Sequence, residues 1–129
     1  MTRCASLAWL ALQAIFLVGC GDVVYVTRQA KLVCRVATSS GQPGVPCTAS
    51  ALLFGDEYSS ASVTSGSAVT LAVGMLTPLR APGVVRASVA ARVQCEGHQT
   101  LTTPERSVEL GWLRPPTVEF GTLTVLEAR

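Results

Sequence analysis

The side chains of this chain that could do chemistry are few: 5 cysteines, 1 histidine and 8 carboxylates in 129 residues. Cys4, Cys20, Cys34, Cys47 and Cys95 include no pair at the Cys-x-x-Cys spacing of a zinc site or a redox dithiol, and a lone histidine cannot complete a ligand set. No metal and no cofactor is expected. Hydrolytic chemistry would need a nucleophile beside a base, or two carboxylates in one cleft. No serine stands in a Gly-x-Ser-x-Gly elbow. Glu96 and Glu105, close in sequence to His98, come nearest to an acid–base set, and a polar turn accounts for them equally well. The adjacent Asp56 and Glu57 would suit calcium only with several more oxygens, since that ion takes about six to eight, so they read as a solvated turn.

The N-terminus has three zones. Arg3 supplies a positive charge, Leu7 to Val18 is apolar apart from Gln13, and Val18-Gly19 precedes Cys20. This is the anatomy of a signal peptide, expected as a helical segment. Crossing roughly 30 Å of hydrocarbon takes about 20 apolar residues, and Gly19, Gly21 and Asp22 interrupt the run before it reaches that length.

Leu17-Val18-Gly19-Cys20 resembles the lipobox of bacterial lipoproteins. The resemblance implies cleavage between Gly19 and Cys20, a diacylglyceryl group on the Cys20 thiol and a lipid bilayer as partner. Two or three acyl chains, at about 0.8 kcal/mol per buried methylene, hold far more firmly than one. The expected organisation is a signal peptide over 1–19, a lipidated tether over 20–30 and one domain over 31–129. Gly21 stands where enteric lipoproteins retained at the inner membrane carry Asp, so in a two-membrane cell the outer membrane is expected.

Removing residues 1–19 leaves 110, enough for one domain with a modest core. Nine basic and eight acidic residues remain, and so balanced a charge gives no field for nucleic acid. Outside the membrane, Cys34, Cys47 and Cys95 would meet an oxidising space. Three is odd, so one is expected to stay free or to pair between chains.

After Cys20 no period of 3.6 holds for ten residues, and alternation takes over. Leu32, Cys34 and Val36 share one face of a strand over 31–38. Following the turn Ser39 to Gly44, Val45, Cys47, Ala49, Ala51 and Leu53 share the face of a second. Phe54 to Ser62 reads as a polar loop, and Val63-Thr64 and Ala68 to Val73 as a hairpin about Ser65-Gly66, with Val69, Leu71 and Val73 facing in. Val85, Ala87, Val89, Ala91, Val93 and Cys95 give the clearest inward face; Arg86 and Arg92 opposite read as a solvated stripe. Val108, Leu110 and Trp112 form a further inward set. In the last strand, Val118 and Phe120 differ in parity from Leu123 and Val125, and Gly121 between them predicts a β-bulge. The fold class is all-β, a single antiparallel β-sandwich.

The string from Ala30 to Ala49 with its Gly41-Gln42-Pro43-Gly44-Val45-Pro46 turn, the stretch Val93 to His98, and Val118 to Val125 resemble the transthyretin-like (prealbumin-like) and carboxypeptidase-regulatory-like sandwiches. The usual Asp-Gly hairpin before a Phe is replaced by Ser65-Gly66. In that topology the first strand lies in the sheet opposite the strand carrying Cys95. The resemblance therefore implies an inter-sheet Cys34–Cys95 disulfide with Cys47 buried and free, and a Cys34–Cys47 bridge is the alternative. Such modules are mostly non-catalytic. The expected function is a membrane-anchored cell-envelope lipoprotein, not an enzyme, that binds an envelope protein or polysaccharide or serves structurally. An anchored hydrolase with His98 and Glu96 at its site is the alternative.

Overall fold

The structure, a computed structural model, describes residues 16–17, 24–80 and 83–128. Gly19 and Cys20, and with them the lipidation and cleavage sites, lie outside the described residues. Of the segment expected as a helix, Phe16–Leu17 are described, and they form a two-residue strand.

The described chain is all-β, with no helix and two facing sheets. The strands are β1 (Phe16–Leu17), β2 (Val24–Thr38), β3 (Pro46–Leu53), β4 (Asp56–Thr64), β5 (Ala68–Pro78), β6 (Arg86–Cys95), β7 (Leu101–Thr102), β8 (Arg106–Glu109) and β9 (Thr117–Val125). In the first sheet β2 is central, antiparallel to β5 along one edge and parallel to β9 along the other, with β1 beside its start. In the second the order is β4-β3-β6, and β6 pairs on its far side with β7 and β8. Every pair but β2–β9 is antiparallel. The two sheets face each other as a β-sandwich.

The alternation read from the sequence lines the space between the sheets. Leu32, Cys34 and Val36 of β2, Cys47, Ala49 and Ala51 of β3, Leu71 and Val73 of β5, and Ala87, Val89, Ala91, Val93 and Cys95 of β6 are all buried. In β9 the pairing to β2 passes from Val33–Glu119 to Cys34–Gly121, which is the bulge expected at Gly121. The glycine sits at φ 73°, in the left-handed region where a side chain is disfavoured. The extra residue returns Phe120, Leu123 and Val125 to the core.

Two stretches differ from expectation. β2 begins at Val24, so most of the 20–30 tether is strand, and its even-numbered inward parity runs back through Ala30 and Val26. Arg28 masks that run because it takes an inward position. Its Nε donates to Thr77 Oγ1 at 2.7 Å and its Nη2 to the Leu79 carbonyl at 3.1 Å, so the charged head is met by oxygens at the rim of the core. The polar run expected as a loop is β4 after a tight turn at Phe54-Gly55. Small residues conceal it: Ser59, Ala61 and Val63 face inward, and an edge strand of serine and alanine shows little hydrophobic contrast.

The turn at Ser65-Gly66 does not join a hairpin. β4 and β5 belong to opposite sheets, and the turn carries the chain between them. Ser65 is buried there. Its hydroxyl donates to the Gln42 carbonyl at 2.6 Å and accepts the Val45 N–H at 2.9 Å, tying the crossover to the β2–β3 loop.

Candidate functional site

Cys47 of β3 and Cys95 of β6 stand directly opposite each other in register and form the disulfide, with Cα atoms 4.0 Å apart. This corrects both the Cys34–Cys95 and the Cys34–Cys47 expectations. The reason is register: Cys47 and Cys95 are direct cross-strand partners on adjacent strands, well within the roughly 7 Å between Cα atoms that a bridge spans, whereas Cys34 belongs to the facing sheet. Cys34 is in the other sheet, buried and free, where Cys47 had been expected to be the free thiol. Burial pushes the Cys34 thiol above its ordinary pKa.

The sign of that shift is testable. A thiol held neutral by the fold lends stability below the ordinary thiol range, and that contribution is lost as pH rises through the raised value. The thermal transition should therefore fall at alkaline pH more steeply in the natural protein than in Cys34→Ala. At neutral pH Cys34 should resist a thiol reagent in the folded protein and react on unfolding, without reductant. Rapid native labelling would show that it is not shielded.

The residues weighed for acid–base chemistry are not gathered. His98 pairs with Glu127 near the C-terminus, and its Nδ1 lies 2.7 Å from the main-chain oxygen of Glu96 rather than from a carboxylate. Glu105 lies by the β3–β4 turn, where its carboxylate faces Gly55. Asp56 and Glu57 open β4. Glu57 Oε1 accepts from Ser50 Oγ and from Arg92 Nη2, each at 3.0 Å, so a polar chain crosses three strands on the outer face of the second sheet. With half of the Glu57 side chain exposed, the ion pair contributes at most about 1 kcal/mol.

An open groove of about 780 Å³ lies beside the disulfide. Its polar lining is Thr48, Ser62, Thr64, Ser67, Gln94 and Glu96. Hydroxyls, one amide and one carboxylate can hold a hydrogen-bonding group there, but the lining provides no pair of titrating side chains between which a proton could pass. The groove went unread in the sequence because its residues come from β3, β4, the start of β5 and the end of β6, which meet only in the fold. Cys47 and Cys95 both fall on inward faces, but so does Cys34, so the faces alone did not select the bridged pair.

Surface apolar residues complete the picture. Trp112, expected inward with Val108 and Leu110, is 40% exposed, and Leu113 beside it 79%. β8 ends at Glu109, and Gly111, pressed against the Arg114 main chain, turns the chain out of the inward alternation. In comparison with known proteins, no family model, no curated protein and no solved structure matches this chain.

Proposed function

We propose that the chain is a cell-envelope lipoprotein, anchored through acylated Cys20, whose β-sandwich is of the transthyretin-like or carboxypeptidase-regulatory-like kind and acts as a non-catalytic binding or structural module. The observation that carries the reading is the Cys47–Cys95 bridge. A structural disulfide belongs to an oxidising compartment, which is where a chain exported by the Leu7–Val18 segment would fold. The placement of β2 and β6 in opposite sheets fits the topology that the resemblance implies. The partner is an envelope protein or polysaccharide, with the polar groove beside the disulfide as one surface for it. Most of the Phe54–Ser62 stretch belongs to β4 of the second sheet, so deleting Asp56 to Ser60 would disrupt the fold.

Cys20→Ser removes the thiol on which acylation and lipobox cleavage depend. The variant should accumulate as a precursor longer by residues 1–19, while the natural protein runs at the mature size and stays with the membrane through high-salt washing. A Cys20→Ser protein of mature size, equally retained, would show that the thiol plays no part in anchoring.

A further inference from the structure

We propose that the outer edge of β4, from Ser60 to Thr64, takes up an extended segment of a partner protein as a further strand of the second sheet. The proposal rests on the reading of this domain as a binding module and selects polypeptide over polysaccharide as what it binds. The pairing decides which main-chain groups are free. The Ser65 N–H donates to the Val45 carbonyl at 2.9 Å, and in the β3–β4 register every second residue back from Ser65 repeats that orientation. Val63, Ala61 and Ser59 therefore turn their main-chain groups to β3, and those of Ser60, Ser62 and Thr64 point away from the sheet. On the other side of β3 the Glu96 N–H donates to the Pro46 carbonyl, as this alternation requires. The Thr64 carbonyl accepts the Ser67 N–H; among the described residues, the three outward N–H groups and the Ser60 and Ser62 carbonyls meet no partner. All three residues are exposed.

Every sandwich has edges, and the other edges here are short or partly covered. β1 and β7 are two residues long and β8 is four. Along β9 the Glu119 carbonyl accepts Arg106 Nη1 at 2.9 Å, and just past its end the Leu126 carbonyl accepts the Gln99 N–H at 2.7 Å. In the middle of β5 the Ala72 carbonyl accepts Ser59 Oγ at 2.7 Å, and the Tyr58 hydroxyl stands over Gly74. β4 from Ser59 to Thr64 carries no proline and no charge, the usual means by which an edge is kept from pairing. The bulge at Tyr58 and the acids before it guard only its start.

Main-chain geometry and charge select the occupant. The free groups recur every two residues, at about 6.8 Å, which is the repeat of another extended chain. Inward side chains of an added strand would follow Ala61 and Val63, which with Val69 of β5 are half-buried where this side of the core lies open. Its outward side chains would follow the hydroxyls of Ser60, Ser62 and Thr64, the last two of which line the polar groove. The only charges on β4 and β5 are those of Asp56 and Glu57, at the end where an antiparallel newcomer finishes. The segment therefore alternates apolar with polar residues and ends in a basic one. A second copy of β4 fits less well, since it brings its own bulge at Tyr58 and no basic residue.

The test uses the mature protein, isotope-labelled and purified from cells in detergent with its intact mass recorded, and an acetylated peptide of alternating valine and threonine ending in two lysines. Without peptide, the amides of Ser60, Ser62 and Thr64 should exchange with solvent faster than those of Ala61 and Val63 in nuclear magnetic resonance spectra. The peptide should protect those three amides, with a Kd at or below about 1 mM. Methylating alternate peptide nitrogens, which removes main-chain donors and leaves the protein untouched, should weaken binding at least about tenfold. Ser62→Pro should weaken it as much while the protein stays folded, since an edge strand accommodates proline where the N–H faces solvent. Unchanged exchange at the three residues, or equal protection by the methylated peptide, overturns the proposal. Slow exchange at all three before peptide is added, with dimer sedimentation, assigns the edge to a second copy and overturns it too. Acylated protein that ignores the peptide strikes the edge and leaves the anchor standing; protein without acyl mass that binds it strikes the anchor and supports the edge.

Discussion

Replacing both bridge cysteines, Cys47→Ser with Cys95→Ser, should lower stability by about 4 kcal/mol, the loop-closure entropy of a crosslink between residues 48 apart in sequence. For a domain of this size that corresponds to a fall of about 20 °C in Tm. The bridge joins strands already paired in the second sheet, so its contribution lies chiefly in the unfolded chain, which it prevents from expanding. Reductant should lower the Tm of the natural protein to the same value and leave the double variant unchanged. Cys34→Ala should cost far less and keep the sensitivity to reductant. A natural protein indifferent to reductant would show that the bridge does not form.

The second large effect belongs to Leu32, among the largest fully buried side chains, at 1% exposure. It lies on the central strand, opposite Leu71 of β5 and Val118 of β9, and faces the second sheet across the core. Leu32→Ala removes three buried carbons and leaves a void that the flanking strands cannot close together, so it should cost about 3 kcal/mol. Lys31→Ala, one position along and on the exposed face, should change stability by no more than about 0.5 kcal/mol. Urea unfolding of the three proteins measures both differences. A cost for Leu32→Ala below about 1 kcal/mol would mean that β2 does not sit at the centre of the core.

These two sites mark what was legible in the chain. Leu32 could be placed because a half-buried strand repeats every two residues, and the same rule placed the inward faces of β3, β5 and β6 and, through Gly121, the bulge of β9. Periodicity says which face a residue occupies and nothing of which strand lies beside it. Cys47 and Cys95 were both read as inward, yet their pairing depends on β3 and β6 being neighbours in exact register, a fact held in no local window. β4 was missed because serines and alanines pack at an edge without showing hydrophobic contrast, and the start of β2 because Arg28 faces inward with its head bound to Thr77 and Leu79. The candidate groove is formed by strands that meet in space alone, so nothing in the sequence announced it. His98 and Glu105 are close in the chain and apart in the fold.

The central claim is that Cys20 is the acylated first residue of the mature protein. Intact mass of the protein extracted from the membrane fraction tests it directly, with digestion to locate the modification. The expected result is a chain running from Cys20 to Arg129 that carries a diacylglyceryl group, with or without a further acyl chain on its amine. A chain beginning at any other residue, or one beginning at Cys20 with no acyl mass, would contradict it.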